Sequence, residues 1–318
     1  MKGYNYRKYS IIVFIVLLFL LAPQLCKIAL LNRSNKEVPK PEMKKERPLL
    51  YGEFLSWDET DKLFPRYAKA KVIDFETKLQ FYVQRRAGQY HADVQPLTAE
   101  DTAIMKAVYN GKWSWKRRAV IIELANGRKI AASMHGMPHG AGAVRGNNFN
   151  GHFCIHFKDS KTHGTGAINM DHQIMVWKAA NRVSEQLRSL GPQDIIEVFF
   201  AAVNQGETSL AKRLIDDDSQ YATQLLKNLQ DIEAARINSI ENQGRNSFKV
   251  NVGVVYKNSD KEYIKNMTIS MKNRKKSSWK VDPRTMLTLL DKEAWFEIRQ
   301  WNEEQTPHKP EIAHFRRT

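Results

Sequence analysis

The alternation of apolar and polar side chains is clearest in residues 151–157. If this run is a β-strand, successive side chains point to opposite faces. One face then carries three apolar side chains, Phe153, Ile155 and Phe157. The other carries a thiol between two imidazoles, in the order His152, Cys154 and His156. The pattern predicts a strand that is anchored in a core on one side and presents reactive groups on the other.

The residues before this strand predict a mostly-β region with two hairpins. Alternating runs at 71–75 and 79–83 form the first hairpin, and those at 120–124 and 129–134 form the second. Asn126-Gly127 separates the second pair, and these residues readily take the positive φ angles of a tight turn. Helices are expected at 57–64, at about 98–109 and at 171–187. The second begins at Thr98, where the sequence is typical of a capping box.

The residues after 190 predict helices followed by an antiparallel sheet. Apolar spacing indicates helices at 195–204, 210–215 and 221–240, and strands at 248–256, 267–271 and 279–281. Helices packed against such a sheet indicate an α+β fold. This order of elements resembles the nuclear-transport-factor-2-like (NTF2-like) cone. A helix and a polar tail are expected at 291–318.

The N-terminal segment predicts a membrane anchor. Basic residues precede an uninterrupted apolar run at 11–22, and apolar character continues to residue 31. We therefore expect a cytoplasmic tip and a transmembrane signal-anchor at 1–31 and a proline-containing linker at 32–48. A mostly-β domain at 49–190 and an NTF2-like domain at 191–290 follow. The protein is then single-pass in the cell membrane, with most of the chain extracytoplasmic.

The charge balance indicates an anionic partner. The 318 residues include 50 Lys and Arg against 34 Asp and Glu, a formal net charge of +16. A polyanion such as nucleic acid, lipid headgroups or cell-wall polymer suits this excess. No nucleic-acid-binding motif is present, and the predicted anchor favours the envelope. We expect peptidoglycan or another anionic wall polymer as the partner, with no nucleic acid, and the membrane as a second contact.

Cys154 is the candidate nucleophile. A thiol reacts as its thiolate, which a neighbouring imidazole favours. His152 lies beside it on the same strand face, and His135 or His139 in the preceding glycine-rich loop is the candidate base. We expect further residues of this segment to bind the substrate, namely Gly140, His156, Ser160 and His163.

His135-Gly136, followed by residues 151–155, resembles the signature of the L,D-transpeptidase (YkuD-like) family. That signature is a histidine-glycine pair, about fifteen residues, and then Ser/Thr-His-Gly-Cys before an arginine. The resemblance implies a mostly-β catalytic domain of a bacterial transferase that uses no cofactor. It implies that Cys154 takes an acyl group from a peptidoglycan stem peptide, with His135 as the base and His152 as the orienting histidine. The chain departs from the signature at three positions, Gly151, Phe153 and His156.

Two alternatives to acyl transfer remain open. His152, Cys154 and His156 offer nitrogen and sulfur ligands on one strand face, which suit zinc, and His91 with Asp93 adds a second pair. His163 and His172 lie downstream, and His91, Asp93, His152 and His156 are the candidate ligand set. Such a site would make the protein a zinc-dependent peptidoglycan hydrolase. The other alternative is a non-enzymatic envelope protein that binds the wall.

Overall fold

The computed structural model describes residues 51–216, 220–274, 278–289 and 297–300. Its first region is a closed barrel of six strands in the order β1-β2-β3-β6-β5-β4. Every neighbouring pair in the barrel is antiparallel. The elements of this region are α1 (Trp57–Leu63), β1 (Lys69–Asp74), β2 (Gln80–Ala87), β3 (Ala92–Pro96), α2 (Ala99–Val108), β4 (Arg118–Leu124), β5 (Lys129–Met134) and β6 (Phe153–His156).

The barrel interior is filled by alternate apolar side chains of its strands. Phe153 and Ile155 of β6 are fully buried there with the inward side chains of the other strands. The predicted anchoring face of β6 is confirmed. Because side chains alternate along a strand, Cys154 and His156 point to the outer face of the barrel wall.

Helices and a second sheet complete the described chain. They are α3 (Met170–Ala179), α4 (Val183–Ser189), α5 (Pro192–Asn204), α6 (Thr208–Leu214), α7 (Gln220–Asn228), β7 (Ile232–Asn242), β8 (Ser247–Tyr256), β9 (Lys261–Asn273), β10 (Trp279–Val281) and β11 (Glu297–Gln300), with 3₁₀ turns at Leu229–Asp231 and Pro283–Leu289. The sheet order is β10-β9-β8-β7, and β11 also pairs with β9. The predicted boundary near residue 190 falls between α4 and α5.

One hydrophobic cluster joins the barrel wall to the helices and the second sheet. Outward side chains of β4 and β5, such as Ile121 and Ala131, belong to it together with buried residues of α3, such as Ile174. It continues through Phe199 of α5 to Val252 of β8. The outer face of the barrel is therefore covered on this side.

The coarse fold class, mixed α and β with a mostly-β first region, is confirmed, and so are both hairpins and the helix that begins after Thr98. The predicted helix at 171–187 is wrong as one element, because Asn181 adopts a φ of +56°. Arg182 N donates to Trp177 O at 2.8 Å, and Asn181 N donates to Lys178 O at 3.2 Å. This pair of bonds is the Schellman motif that ends helices.

The predicted helix at 221–240 is also wrong in its second half. The helix ends at Asn228, and Ile232–Asn242 is a strand paired with β8 along its length. Antiparallel pairing with the next strand, β8, outweighs the local helical pattern. At 297–300, where a helix was expected, the chain is a strand on β9.

The predicted anchor and linker lie outside the described residues, as do the 291–296 and 301–318 parts of the expected C-terminal helix and tail. Within the described residues, no helix has both the length and the apolar character needed to cross a membrane.

Candidate metal centre

The outer wall of the barrel brings Asp93 and Cys154 together. Asp93 on β3 is the register partner of Cys154 on β6, and Ser133 on β5 is the partner of His156. Because all four side chains alternate with inward apolar residues, they share the outer face. Strand register thus joins residues far apart in the sequence.

The loop from β5 to β6 returns over this face through a two-residue bridge. His139 N donates to His152 O at 2.9 Å, and His152 N donates to His139 O at 2.8 Å. Gly151 has a φ of +114°, and a Cβ there would lie 2.5 Å from His139 O. Gly140 has a φ of +60°, and its Cβ would lie 2.5 Å from His152 Cε1. The bridge therefore requires glycine at both positions.

Four side chains converge on one oxygen of Asp93. Its Oδ1 lies 3.1 Å from His163 Nε2, 3.2 Å from His91 Nε2 and 3.9 Å from His152 Nε2. Cys154 Sγ lies 3.7 Å from the same oxygen. The ligand atoms of His91, Asp93, Cys154 and His163 all lie within 4.8 Å of one another. This group of four is called the Asp93 cluster below.

Three histidines, His91, His139 and His152, each bond a main-chain carbonyl through Nδ1, which leaves Nε2 as the nitrogen available to a ligand. A carbonyl only accepts hydrogen bonds, so each bonded Nδ1 carries a proton, and in the neutral ring Nε2 is left with a lone pair. The three bonds are from His91 to Lys161 O at 2.7 Å, from His152 to Ala141 O at 2.9 Å and from His139 to Met137 O at 3.1 Å.

His91 Nε2 is buried and makes no hydrogen bond within the described residues. It nevertheless lies 3.2 Å from Asp93 Oδ1. In the neutral ring this arrangement sets a lone pair against a carboxylate oxygen, which is repulsive unless a positive charge lies nearby. Metal-binding histidines commonly donate their other ring N–H to a carbonyl or carboxylate, as His91 does to Lys161.

The charges of the cluster also suit a cation. Burial alone would raise the pKa of Asp93, but the hydrogen bonds and positive charge of His91 and His163, in their protonated form, outweigh it and hold that pKa at about 2. When the rings are neutral this stabilisation is absent, and a bound cation would supply the positive charge instead. Burial raises the pKa of the Cys154 thiol well above its ordinary value, and the Asp93 carboxylate raises it further. A divalent metal ion would reverse this effect, because it stabilises the thiolate directly.

The seven histidines of the described residues form a continuous series of side-chain contacts. Adjacent imidazole centroids lie 3.7 to 6.1 Å apart, in the order His163, His91, His156, His172, His135, His139 and His152. Burial lowers the pKa values of His156 and His172 well below the ordinary range. These two rings are neutral at neutral pH and pack behind the ligands.

The candidate nucleophile and bases are also close together. His139 Nε2 lies 3.3 Å from Cys154 Sγ. His135 belongs to a second group of possible ligands with His139 and Cys154, within 4.8 Å. Its Nδ1 accepts a hydrogen bond from Met137 N at 3.3 Å. His139 is therefore a candidate base whose nitrogen lies within hydrogen-bonding range of the thiol.

The remaining candidates separate into different roles. His91 and Asp93 lie in the Asp93 cluster, as the zinc alternative expects, and His152 lies at its edge. His156 stacks on His91, and its Nδ1 has no hydrogen-bond partner among the described residues. Ser160 is buried, and its Oγ accepts a hydrogen bond from the main chain at 2.9 Å.

His163 is a cluster member that the sequence placed downstream of the candidate ligands but not in the ligand set. The expectation was substrate binding, since no spacing motif links it to His91, Asp93 or Cys154. Its side chain is 43% exposed, whereas that of His91 is 1% exposed. Solvent therefore reaches the cluster from the His163 side.

No family model, curated protein or solved structure matches the chain.

Proposed function

We propose that the Asp93 cluster binds a zinc ion and that the protein is a zinc-dependent hydrolase of the bacterial cell envelope, with peptidoglycan as its substrate. The observation that carries the proposal is the buried Nε2 of His91. Its Nδ1 is committed to Lys161 O, and in the neutral ring Nε2 presents a lone pair to the Asp93 carboxylate 3.2 Å away. A cation between the two groups removes the repulsion.

The spacing of the ligand atoms supports zinc. Tetrahedral zinc, with bonds of about 2.0–2.3 Å, separates nitrogen and oxygen ligands by about 3.4 Å and sulfur and oxygen ligands by about 3.6 Å. Asp93 Oδ1 lies 3.2 Å from His91 Nε2, 3.1 Å from His163 Nε2 and 3.7 Å from Cys154 Sγ. One carboxylate and one thiolate also balance the charge of a divalent ion.

The surrounding residues divide the work of hydrolysis. Zinc in such a site acts as a Lewis acid and lowers the pKa of bound water. His91, Asp93 and Cys154 are buried and would hold the ion, with His163 as the fourth ligand on the solvent side. Water for hydrolysis would bind beside exposed His163 as a fifth ligand, a coordination number that catalytic zinc sites also adopt. His152 Nε2 carries a lone pair because Nδ1 donates to Ala141 O. We assign it the role of accepting the proton from the attacking water.

The envelope assignment rests on the sequence. The predicted anchor favours a site outside the cytoplasm, and the net charge of +16 suits an anionic wall polymer. We also propose the NTF2-like cone as the finer fold of the second region, since α5 to α7 precede an antiparallel sheet. Bulges near Ile232 and Ile237 interrupt the register of β7 with β8, and bulges bend strands.

Metal analysis of the purified full chain tests the proposal. After removal of metal and dialysis against zinc, we expect about one zinc ion per chain, and hydrolysis of muropeptides that chelation abolishes. Asp93→Asn and Cys154→Ser should lose the ion. Asp159→Asn, which removes a partly exposed carboxylate beyond the cluster, is the matched control. Absence of stoichiometric zinc from the wild-type chain would refute the metal site; bound zinc without hydrolysis would refute only the enzyme.

Cysteine acyl transfer is the second candidate, and one contact favours it. The 3.3 Å separation of Cys154 Sγ and His139 Nε2 is that of a nucleophile and its base. The L,D-transpeptidase resemblance gives Cys154 the same role. The raised pKa of the buried thiol opposes this chemistry. Mass spectrometry of the metal-free chain after exposure to a carbapenem or to muropeptides tests this: an acyl adduct on Cys154 supports acyl transfer, and its absence contradicts it.

A further inference from the structure

A cavity of about 520 Å³ lies between the barrel and the second sheet, apart from the Asp93 cluster. The residues after α2 and the segment 114–118 line one side of it. The corner between α5 and α6 and the facing ends of β7 and β8 line the other. Its polar lining includes Asn110, Ser114, Gln205 and Gln230. We call it the Arg117 cavity.

Arg117 is a buried cation in the wall of this cavity. The residue is 8% exposed. Its Nη1 donates to Trp115 O at 2.5 Å, while Nε is buried with no hydrogen-bond partner in the described part of the chain. No carboxylate of the described residues lies within ion-pair distance of it, and the Asp171 carboxylate, which is outside the lining, acts on it only at longer range. Buried charges are normally paired, because an unpaired one loses hydration without compensation.

The other basic residues of the lining show which charges are already used. Lys116 Nζ donates to Asn204 O at 2.7 Å and lies 3.5 Å from the Glu233 carboxylate. Arg118 is paired with Asp74 at 2.7 Å. Lys257 is exposed and makes no ion pair with the described residues.

Arg117 and Lys257 therefore leave two positive charges without a counter-ion in the described lining. Glu233 is the acidic side chain of that lining, and it is already engaged by Lys116.

We propose that the Arg117 cavity binds the anionic group, a phosphate or a carboxylate, of a small ligand. Guanidinium presents several N–H donors in a fixed plane that matches either group. The cavity volume is within the range of small-molecule sites. The proposal goes beyond the hydrolase and does not depend on it, since none of the cluster residues lines the cavity.

Calorimetric titration of the full chain with inorganic phosphate and, separately, with succinate tests the inference. Ionic strength is held constant with sodium chloride, and metal is removed first so that phosphate cannot bind zinc. We expect saturable binding of at least one probe. Arg117→Met should weaken it by about tenfold or more, the loss of a charge-assisted hydrogen bond. Lys257→Met should weaken it by about threefold, as for an exposed charge.

Lys249→Met removes an exposed lysine of β8 that does not line the cavity, and its affinity should equal that of the wild type. Tighter binding of phosphate identifies a phosphate ligand, and tighter binding of succinate identifies a carboxylate. If Arg117→Met does not fold, the exposed Lys257 variant decides the question. No saturable binding of either probe, or affinities unchanged in the folded cavity variants, would overturn the inference.

Discussion

A single hydrogen bond joins His91 to Lys161 and determines the chemistry of the Asp93 cluster. Nδ1 of the imidazole donates to the main-chain oxygen at 2.7 Å. Nε2 is consequently directed at Asp93, in the outer wall of the barrel. The bond links the β2–β3 turn to the segment that carries His163. It therefore helps to fix the position of His91 relative to His163, which lie on separate segments of the chain.

His163→Ala should weaken zinc binding without unfolding the protein. The side chain is 43% exposed, so its loss removes a ligand but no core packing. Mutation of residues that only hydrogen-bond to metal ligands lowers metal affinity by about 10–100-fold. We expect loss of the ligand His163 to lower zinc affinity by at least as much. Competition with a chromophoric chelator measures it. When a chelator has removed the metal, the free energy of unfolding of His163→Ala should differ from that of the wild type by less than about 0.5 kcal/mol. An unchanged zinc affinity would remove His163 from the ligand set.

Gly151→Ser should destabilise the fold, although it makes the chain more similar to the L,D-transpeptidase signature. The new Cβ would lie 2.5 Å from His139 O on a backbone with φ of +114°. We expect a loss of about 1–3 kcal/mol in the free energy of unfolding, measured with urea. Gly146→Ser is the control. It has a φ of +74° and no heavy atom within 4 Å of the added Cβ, so it isolates the backbone term. Equal losses would show that the contact with His139 is unimportant.

Asp74→Asn should be destabilising. The carboxylate is fully buried and pairs with Arg118 through Nε at 3.0 Å and Nη2 at 2.7 Å. Arg118 keeps its ion pair with Glu76 at 2.7 Å, so the loss is that of the charge-assisted hydrogen bonds of a buried carboxylate, about 1–3 kcal/mol. Glu123→Gln, which breaks the partly exposed pair with Lys71, should cost about 0–1 kcal/mol. Urea denaturation of both variants measures the contrast, and similar losses would contradict it.

Glu197→Gln should stabilise the protein at high pH. Burial, reinforced by the charge of Asp194, raises the pKa of Glu197 from 4.5 to about 7. Below pH 4.5 both states are protonated, and there is no penalty. As the pH rises from 4.5 to 7, the unfolded state loses its proton first, so the free energy of unfolding falls; above pH 7 the penalty is complete.

The Gln variant lacks this penalty. We expect it to gain about 1–3 kcal/mol at pH 8, allowing for partial exposure, and nothing at pH 4. Urea denaturation of the metal-free chain across this range measures the difference. Glu185→Gln, on the exposed helix α4, controls for removal of a surface charge. A constant difference between Glu197→Gln and the wild type at all pH values would contradict the linkage.

Local patterns predicted much of the barrel. The alternation in residues 151–157 predicted which β6 side chains enter the core, and Asn126-Gly127 predicted the β4–β5 hairpin. These signals work because their partners are close in the sequence. The loop position of His139 made it a candidate partner for Cys154, and the two are 3.3 Å apart.

Long-range pairing was not predictable in the same way. Asp93 meets Cys154 because β3 pairs with β6, 61 residues along the chain, and neither strand carries a signal for the other. His163 lies on an exposed loop with no periodic pattern. The error at β7 has a different cause: its partner β8 follows directly in the sequence, but the apolar spacing of residues 232–240 also fits a helix, and that local pattern was misleading.

The two faces of β6 have different functions. Phe153 and Ile155 pack inside the barrel, whereas Cys154 and His156 lie on its outer wall. A saturation mutagenesis scan of positions 153–156 should therefore show a period of two. Polar substitutions at the odd positions should abolish soluble expression. Those at the even positions should leave expression intact, and at position 154 they should eliminate zinc from the recovered protein. This alternation would distinguish the positions needed for folding from the position needed for zinc binding within four consecutive residues.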